Sequence, residues 1–292
     1  MSATARPTAS TPGAARIPID WTSVSLPDAW PDALDLRRPW HLARFLGRLA
    51  TRRRPVELPP GLPGAATLPD YLRLEFHHLP NGNYSKRIVD GYLRWIDVMM
   101  LGRMRHAWRE VASRLMGATV ALDVGCGSGG VAGALIAAGV PEVWGLDPSP
   151  YMLREAALRH PDVRLVQGVA EDTGFAQSSF DAVAACFLFH ELPPATADAA
   201  LDELYRILTP GAMLVIVEPS ALQFRPRGLY RFLRRHGGLG LYFWLMTLLV
   251  YEPYVAGWHA RDVNAWFDTH GFSLREDSVR MPMRLLRAVR QA

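Results

Sequence analysis

A run of small residues in the middle of the chain could hold a ligand directly against the backbone. Residues 121–130 read ALDVGCGSGG, with glycines at Gly125, Gly127 and Gly129. Glycine permits a tight turn, and it has no Cβ to block a ligand that approaches the main chain. The pattern predicts a buried strand, a turn and the start of a helix, whose first amide groups would point at that ligand.

Two acidic residues flank this glycine loop in sequence. Asp123 directly precedes it and could pair with an ammonium group of the ligand. Asp147 follows roughly 20 residues later, where a carboxylate can accept hydrogen bonds from both ribose hydroxyl groups of an adenosine. The run Asp147-Pro148-Ser149 is also typical of a helix N-cap, so a structural role for Asp147 stays open.

Two cofactors are consistent with the loop alone. Gly125, Gly127 and Gly130 satisfy the GxGxxG pattern of NAD sites. Asp123 favours S-adenosylmethionine (SAM), because SAM carries an ammonium group and no phosphate, whereas NAD carries a pyrophosphate and no such group.

The elements that must position these residues alternate between short apolar runs and helical segments. We predict strands over residues 120–124, 142–146, 163–166, 181–186 and 213–217, separated by helices over 131–138, 151–159 and 196–208. Strands connected by helices favour a mostly parallel sheet with helices on both faces. Two late strands, 273–279 and 285–290, are expected to form an antiparallel hairpin at the edge of that sheet.

The rest of the chain divides around this predicted sheet. Residues 1–18 are expected to be a disordered tail, 19–116 a mostly helical N-terminal cap with one helix over 40–53, and 117–292 the α/β domain. Residues 220–260 interrupt the alternation and predict a lid insertion. The apolar run 239–250 is too short to span a bilayer, and burial of that lid helix is the favoured interpretation over a membrane-interface role.

The motifs resemble, in order, those of class I SAM-dependent methyltransferases. Residues 122–129 (LDVGCGSG) resemble motif I, and 145–149 (GLDPS) resemble the second acidic motif. Residues 167–175, 180–183, 187–194 and 204–211 resemble the third strand, the fourth strand, the loop after it and the turn into the fifth strand. Looser similarity, in 68–71, 76–77, 82–85 and 251–254, links the cap and the insertion to quinone-modifying small-molecule methyltransferases. The expected fold is a seven-stranded, Rossmann-like α/β sheet.

The resemblance implies a set of cofactor contacts. Asp123 and the backbone of the glycine loop would hold the methionine part of SAM, Asp147 the ribose, and Phe187 would lie beside the sulfonium. The family often has an acid where this chain has Val169, so adenine recognition there would depend on backbone amides or on nearby acids. The full implied set is Asp123, Gly125, Cys126, Gly127, Gly129, Asp147, Pro148, Met152, Ala170, Glu171, Phe187, Tyr84 as an aromatic closing over SAM, and Tyr92 as its second choice.

Three residues are candidates for catalysis. His190 follows the fourth strand and has the intrinsic pKa range of a general base, although it could equally orient its own loop. Glu191 is the next residue, with a structural role favoured, and His259 lies in the insertion. Methyl transfer from a sulfonium mainly requires alignment and exclusion of water, so a base is not obligatory.

Composition limits the other function classes. The formal net charge is +4, and arginines cluster at 52–54 and 225–235, for which a solvated surface is favoured over binding of nucleic acid or anionic lipid. Two cysteines, Cys126 and Cys186, form no metal-ligand pair, so we expect no metal and a reducing, cytoplasmic compartment.

The expected partner is a small methyl acceptor, with no nucleic acid and no stable membrane insertion. A homodimer, a SAM-binding enzyme of another reaction, a non-enzymatic binding protein and an NAD-dependent oxidoreductase remain as alternatives.

Overall fold

The computed structural model describes residues 16–50, 55–224 and 228–292 and confirms the expected α/β fold class. Its centre is one seven-stranded sheet of order β3-β2-β1-β4-β5-β7-β6. The strands are β1 Val120–Val124, β2 Glu142–Asp147, β3 Arg164–Gln167, β4 Phe180–Cys186, β5 Leu208–Pro219, β6 Phe272–Arg280 and β7 Met283–Arg290.

Strands β1 to β5 are parallel, because a helix crosses back over the sheet between most successive strands. Parallel strands covered on both faces are apolar throughout, and Ala121 to Val124 of β1 are all buried. The helices are α1 Pro39–Ala50, α2 Lys86–Met99, α3 Arg103–Arg114, α4 Gly130–Ala137, α5 Pro150–Arg159, α6 Pro194–Ile207, α7 Ala221–Phe224, α8 Leu229–Leu249, α9 Val255–Ala260 and α10 Val263–Thr269.

Two apolar clusters pack on opposite faces of the sheet. Helices α3, α4 and α5 cover one face together with Trp21, and α6, α9 and α10 cover the other. The antiparallel pairing of β7 with β5 and of β6 with β7 confirms the predicted edge hairpin. The carboxyl ends of β1, β2, β4 and β5 consequently lie along one edge, where ligands bind in open α/β sheets.

The N-terminal cap is tied closely to this sheet. Residues 40–50 of the predicted 40–53 helix fall within α1, and 51–53 lie outside the described residues. In the expected tail, residues 1–15 also lie outside the described residues. Residues 16–18 depart from that expectation, because the Arg16 guanidinium donates to the carbonyl oxygens of Thr173 and Gln167 at 2.8 and 3.2 Å.

The late insertion is helical but only partly buried. Helix α8 is kinked at Gly237, whose φ of 57° and ψ of −148° are non-helical. Phe232 and Phe243 are buried, whereas Leu248 and Leu249 are 64% and 68% exposed. The favoured interpretation of a buried helix over 239–250 was therefore wrong for one face, because composition alone does not determine which side of a helix meets a neighbour.

Leu115→Ala tests whether the cap and the sheet form one folding unit. Leu115 is fully buried just after α3, in the cluster that includes residues of β1 and β5. We expect a loss of about 2–5 kcal/mol in the free energy of unfolding, measured by urea denaturation as one shifted transition. Leu158→Ala on exposed α5 surface is the control and should change that free energy by less than about 0.5 kcal/mol. A separate early transition in Leu115→Ala would contradict a single unit.

Candidate cofactor and active site

The glycine loop joins β1 to α4, and several of its backbone N–H groups donate hydrogen bonds to other groups of the protein. The N–H groups of Gly125 and Cys126 both donate to the carbonyl oxygen of Leu146, at 2.8 and 3.0 Å. The N–H of Gly129 donates to Cys126 O, and that of Gly127 donates to the Asp147 carboxylate, both at 2.8 Å. The loop is thereby fixed to the end of β2.

Two glycines in this loop differ in what surrounds them. Gly125 has a φ of +67°, and a Cβ there would lie 3.0 Å from Leu188, so this position is packed. Gly127 has a φ of +51°, and no atom lies within 4 Å of an added Cβ. The space beside Gly127 is open, so a ligand can approach the main chain at that point.

Asp147 lies at the end of β2, as expected, and it is buried. One carboxylate oxygen accepts from Gly127 N at 2.8 Å and the other from Ser149 N at 2.9 Å. Each carboxylate oxygen has a second lone pair, so both can also accept from ligand hydroxyl groups. The N-cap of α5 is Ser149, whose side chain accepts from Met152 N, so the capping alternative for Asp147 was wrong in detail.

Asp123 is only 1% exposed and accepts from Ala132 N of α4 at 3.0 Å. Burial raises its pKa to about 8, against the opposing effect of the Ala132 hydrogen bond and with a further contribution from the charge of Asp147. Burial likewise raises the pKa of Asp147 to about 6. A cation bound beside these two buried acids would favour their ionised forms and lower both pKa values.

The predicted adenine side lies beyond β3. Ala170 is buried in the core, and Glu171 accepts a hydrogen bond from the Tyr71 hydroxyl at 2.8 Å. The Gln167 amide donates to the carbonyl oxygens of Pro63 and Pro148, at 2.9 and 3.0 Å. These contacts place cap residues over the end of β3.

The two aromatic candidates from the cap occupy different places. Tyr84 is buried in a cluster with Met152, and the nearby charge of Asp147 adds to burial in raising its pKa. Tyr92 stacks on His77, with ring centres 6.3 Å apart. Tyr84 therefore lies on the side of the Asp147 carboxylate, and Tyr92 belongs to a separate group of mostly polar residues that we call the polar pocket.

That polar pocket is built on Glu218 at the end of β5. Glu218 is fully buried and accepts from the backbone N–H groups of Leu188 and Phe189, at 3.0 and 2.7 Å. Its other oxygen lies 2.5 Å from His190 Nδ1. Glu218 thus fixes both the loop after β4 and the orientation of the His190 ring.

Residues of the cap and the insertion complete the pocket. His77 Nε2 lies 2.9 Å from Glu191 Oε1, and His77 Nδ1 lies 3.6 Å from Glu252 Oε1. His190 Nε2 lies 3.8 Å from the same Glu252 oxygen. The other Glu252 oxygen, Oε2, is buried and has no hydrogen-bond partner among the described residues, which leaves it available to a donor on a ligand.

The charges in this pocket favour imidazolium. Burial lowers the pKa of His190, but the charge and hydrogen bond of Glu218 outweigh it and bring the value to about 9. Burial also opposes protonation of His77, yet Glu191 raises its pKa. Burial raises the pKa of Glu191, whereas the contact with His77 lowers it by more, so the net direction is down.

Phe187 and His259 are placed differently relative to this pocket. Phe187 has a φ of 59°, unusual for a residue with a bulky side chain, and its ring meets that of His190 edge-on with centres 5.9 Å apart. His259 Nε2 lies 2.9 Å from the carbonyl oxygen of Pro219. That ring nitrogen contacts the backbone at the end of β5, directly after Glu218.

Sequence reasoning missed three residues of the pocket: His77, Glu218 and Glu252. His77 and Glu252 lie within segments whose family resemblance was noted, 76–77 and 251–254, but neither was singled out. The signal for Glu218 is an acid directly after the buried run 214–217. Among the described residues, no cluster of three or more His, Cys, Asp or Glu side chains is arranged to hold a metal ion.

The loop geometry fits a ligand without phosphate better than a dinucleotide. A pyrophosphate needs free backbone amides at the glycine loop. Here the amides of Gly125, Cys126, Gly127 and Gly129 already donate within the protein. The two carboxylates suit the ribose hydroxyls and the ammonium group of an adenosine ligand with an amino acid part, and the open space at Gly127 admits it to the main chain.

Asp123→Asn tests the cost of burying that acid. A folded-state pKa of about 8, against an ordinary value of 3.8, means that the folded protein binds the extra proton and loses stability as pH rises from about 4 to 8. Asparagine can still accept from Ala132 N and does not ionise. We expect the ligand-free variant to match the wild type near pH 4 and to exceed it by roughly 2–4 kcal/mol at pH 8, measured by urea denaturation.

Asp162→Asn, on the exposed turn before β3, is the matched control and should show no such pH-dependent gain. Equal stability of Asp123→Asn and the wild type at pH 8 would contradict a raised pKa at Asp123.

Part of the chain is similar to known methyltransferases. Residues 121–211 match the family model described as a methyltransferase domain. The chain is 37% identical over 108 residues to an uncharacterized methyltransferase of Synechocystis, covering 36% of this chain and 50% of that protein. It is 36% identical over 140 residues to a demethylmenaquinone methyltransferase of Beutenbergia cavernae, covering 47% and 57%. The chain thus spans about half the length of these curated relatives.

A solved Thermotoga maritima structure, titled a SAM-dependent methyltransferase and possible histamine N-methyltransferase, is 18% identical, with a TM-score of 0.49 and coverage of 70% of this chain and 97% of that one. The matched segment runs from β1, through the glycine loop and Asp147, to the start of β5. The match to a methyltransferase domain and the seven-stranded α/β sheet make this part of the chain similar to class I SAM-dependent methyltransferases.

Proposed function

We propose that this protein transfers a methyl group from SAM to a small aromatic or amphipathic acceptor. The observation that carries the proposal is the buried pair Asp123 and Asp147 beside a glycine loop in which four amides, those of Gly125, Cys126, Gly127 and Gly129, donate within the protein. Such a site suits a cationic, phosphate-free adenosine ligand. Bound SAM would supply an electrophilic methyl group on sulfur and a thioether leaving group.

The residues near the glycine loop would bind the cofactor. Asp147 would accept hydrogen bonds from the ribose hydroxyls while it holds Gly127 in place. Asp123 would act on the ammonium group through its charge, since its side chain is buried against α4. Ala170 and Glu171 would flank the adenine, with Pro148, Met152 and Tyr84 supplying apolar contact.

The polar pocket would align the acceptor. Phe187 and His190 lie together after β4, where the methyl group would be presented. Glu252 Oε2 lacks a partner among the described residues and would accept a hydrogen bond from an acceptor O–H or N–H. Tyr92 and His77 would close the other side and exclude water.

His190 would take the proton that the acceptor loses. Its Nδ1 is held by Glu218, so Nε2 faces the pocket toward Glu252. With a pKa of about 9, the imidazole is a base only after it loses its own proton. A rate that depends on this base therefore rises with pH up to about 9. Glu191 would act by positioning His77, and His259 would support the end of β5 through its contact with the Pro219 carbonyl oxygen.

The relatives suggest which acceptor to try first. Several are named demethylmenaquinone methyltransferase, including one from Staphylococcus aureus that is 39% identical over 121 residues. A reduced quinone of that class has ring hydroxyl groups that could donate to Glu252 and lose a proton to His190. The proposal also places the protein in the cytoplasm, acting on a small molecule rather than on nucleic acid.

The direct test is transfer of a labelled methyl group from SAM to reduced demethylmenaquinone, detected as labelled product. We expect turnover by the wild type and a loss of about 100-fold or more in kcat for His190→Gln, with little change in the KM for SAM. Asp162→Asn should retain full activity. Binding of S-adenosylhomocysteine without label transfer to this or any other hydroxylated aromatic acceptor would contradict the proposed function.

Glu218→Gln tests the origin of the raised His190 pKa. Glutamine can still accept from the backbone of Leu188 and Phe189, but it lacks the charge that favours imidazolium. We expect the midpoint of the rising limb of the rate profile, and the His190 titration followed by NMR, to move from about 9 toward the ordinary histidine value of 6.5. Glu155→Gln on α5 is the control. An unchanged His190 titration in Glu218→Gln would contradict this assignment.

A further inference from the structure

One face of α8 exposes a row of leucine side chains to solvent. Leu241, Leu245, Leu248 and Leu249 follow the i, i+4, i+7, i+8 spacing of a single helix face. All four are exposed, by 39% to 68%. The opposite side of the same helix segment is packed, because Phe243 is buried.

The end of α2 extends this apolar face. Trp95 is 62% exposed and Val98 is 59% exposed, and Met99 and Leu101 are exposed as well. The Tyr242 hydroxyl of α8 donates to the carbonyl oxygen of Met99 at 2.7 Å, which brings the two helices together. We call these eight side chains the α2–α8 apolar surface. Large exposed apolar patches commonly mark sites that bind another surface.

The charges beside the apolar surface are positive. Helix α8 contains Arg231, Arg234 and Arg235 and no aspartate or glutamate over its full length, and all three arginines are exposed. On α2 and α3, by contrast, Arg94 pairs with Asp90 and Arg105 with Asp97. The part of α8 before the kink at Gly237 is therefore cationic, on the same helix as the leucines that follow the kink, and this charge complements an anionic partner.

A bilayer surface matches both properties. Apolar and aromatic side chains bordered by arginines are typical of helices that lie in the membrane interface, and each basic residue adds roughly 1 kcal/mol near anionic lipid. None of the helices within residues 16–50, 55–224 and 228–292 is long and apolar enough to cross a membrane. Contact with lipid would therefore be peripheral.

Both helices of this surface also supply the polar pocket. Tyr92 lies one turn before Trp95 on α2, and Glu252 follows the end of α8 by three residues. From this placement we propose that the α2–α8 apolar surface docks on an anionic lipid bilayer, with the leucines and Trp95 in the interface and the α8 arginines on the lipid headgroups. The docking requires no methyl transfer, so it can be tested whatever the acceptor.

The test is co-sedimentation of the full chain with vesicles of equal parts phosphatidylcholine and phosphatidylglycerol, and with vesicles of phosphatidylcholine alone. We expect binding to the anionic vesicles, weakened by added salt, and weak binding to the neutral ones. The combined change Leu245→Ser and Leu248→Ser should lower the affinity at least about tenfold, because it removes two apolar groups from the interface. Leu158→Ser, on the exposed surface of α5, is the matched control and should bind normally.

A second variant separates charge from apolar contact. Arg231→Gln with Arg234→Gln and Arg235→Gln should abolish the salt-sensitive preference for anionic vesicles. Calorimetric binding of S-adenosylhomocysteine, equal in all variants and the wild type, would show that each is folded. Equal vesicle binding by the leucine variant would overturn the proposal. So would a wild-type dimer that becomes a monomer in the leucine variant by light scattering, since a second copy would then cover the surface.

Discussion

Buried carboxyl groups at the carboxyl edge of the sheet determine the shape of the whole site. A buried carboxylate needs hydrogen-bond donors, and here the backbone of the adjoining loops supplies them. Asp123 accepts a hydrogen bond from a backbone N–H of α4, and Asp147 accepts from the glycine loop and the start of α5. Glu218 accepts from backbone N–H groups just after β4. The start of α4, the glycine loop, the start of α5 and the segment after β4 are thereby held in fixed positions.

The same requirement links structure to chemistry. Asp123 and Asp147 satisfy their backbone partners but keep raised pKa values, so they remain responsive to a cationic ligand. The negative charge of Glu218, 2.5 Å from His190 Nδ1, raises the pKa of His190 and makes the imidazole a stronger base. Removal of a charge from this edge should consequently alter ligand affinity and proton transfer more than it alters the fold.

The sequence predicted the sheet and the cofactor loop well because their signals are local. Strand β1, the glycines and Asp147 follow one another within about thirty residues, and each of the five parallel strands is a short apolar run between turns. The polar pocket is different. His77 and Glu191 are 114 residues apart, and Glu252 reaches them only because the insertion folds back on the cap. No spacing rule connects such residues, so His77 and Glu252 were noted only as parts of motifs.

The exposure of α8 escaped prediction for a related reason. Its apolar composition suits a buried helix and an interfacial helix equally well, and the orientation depends on which residues of the cap lie beneath it. Phe243 packs inward while Leu248 and Leu249 face outward. The cap and the insertion therefore lie around the polar pocket, whereas the glycine loop and Asp147 lie at the edge of the sheet.

The most direct test of the central claim is calorimetric titration with S-adenosylhomocysteine and, separately, with NAD, on the wild type and on Asp147→Ala. The account predicts that the wild type binds S-adenosylhomocysteine and not NAD, and that the variant binds it at least about tenfold more weakly, because a carboxylate that accepts ribose hydroxyls is lost. Asp162→Ala should bind as the wild type does. Binding of NAD in place of S-adenosylhomocysteine would contradict the account and make the glycine loop a pyrophosphate site.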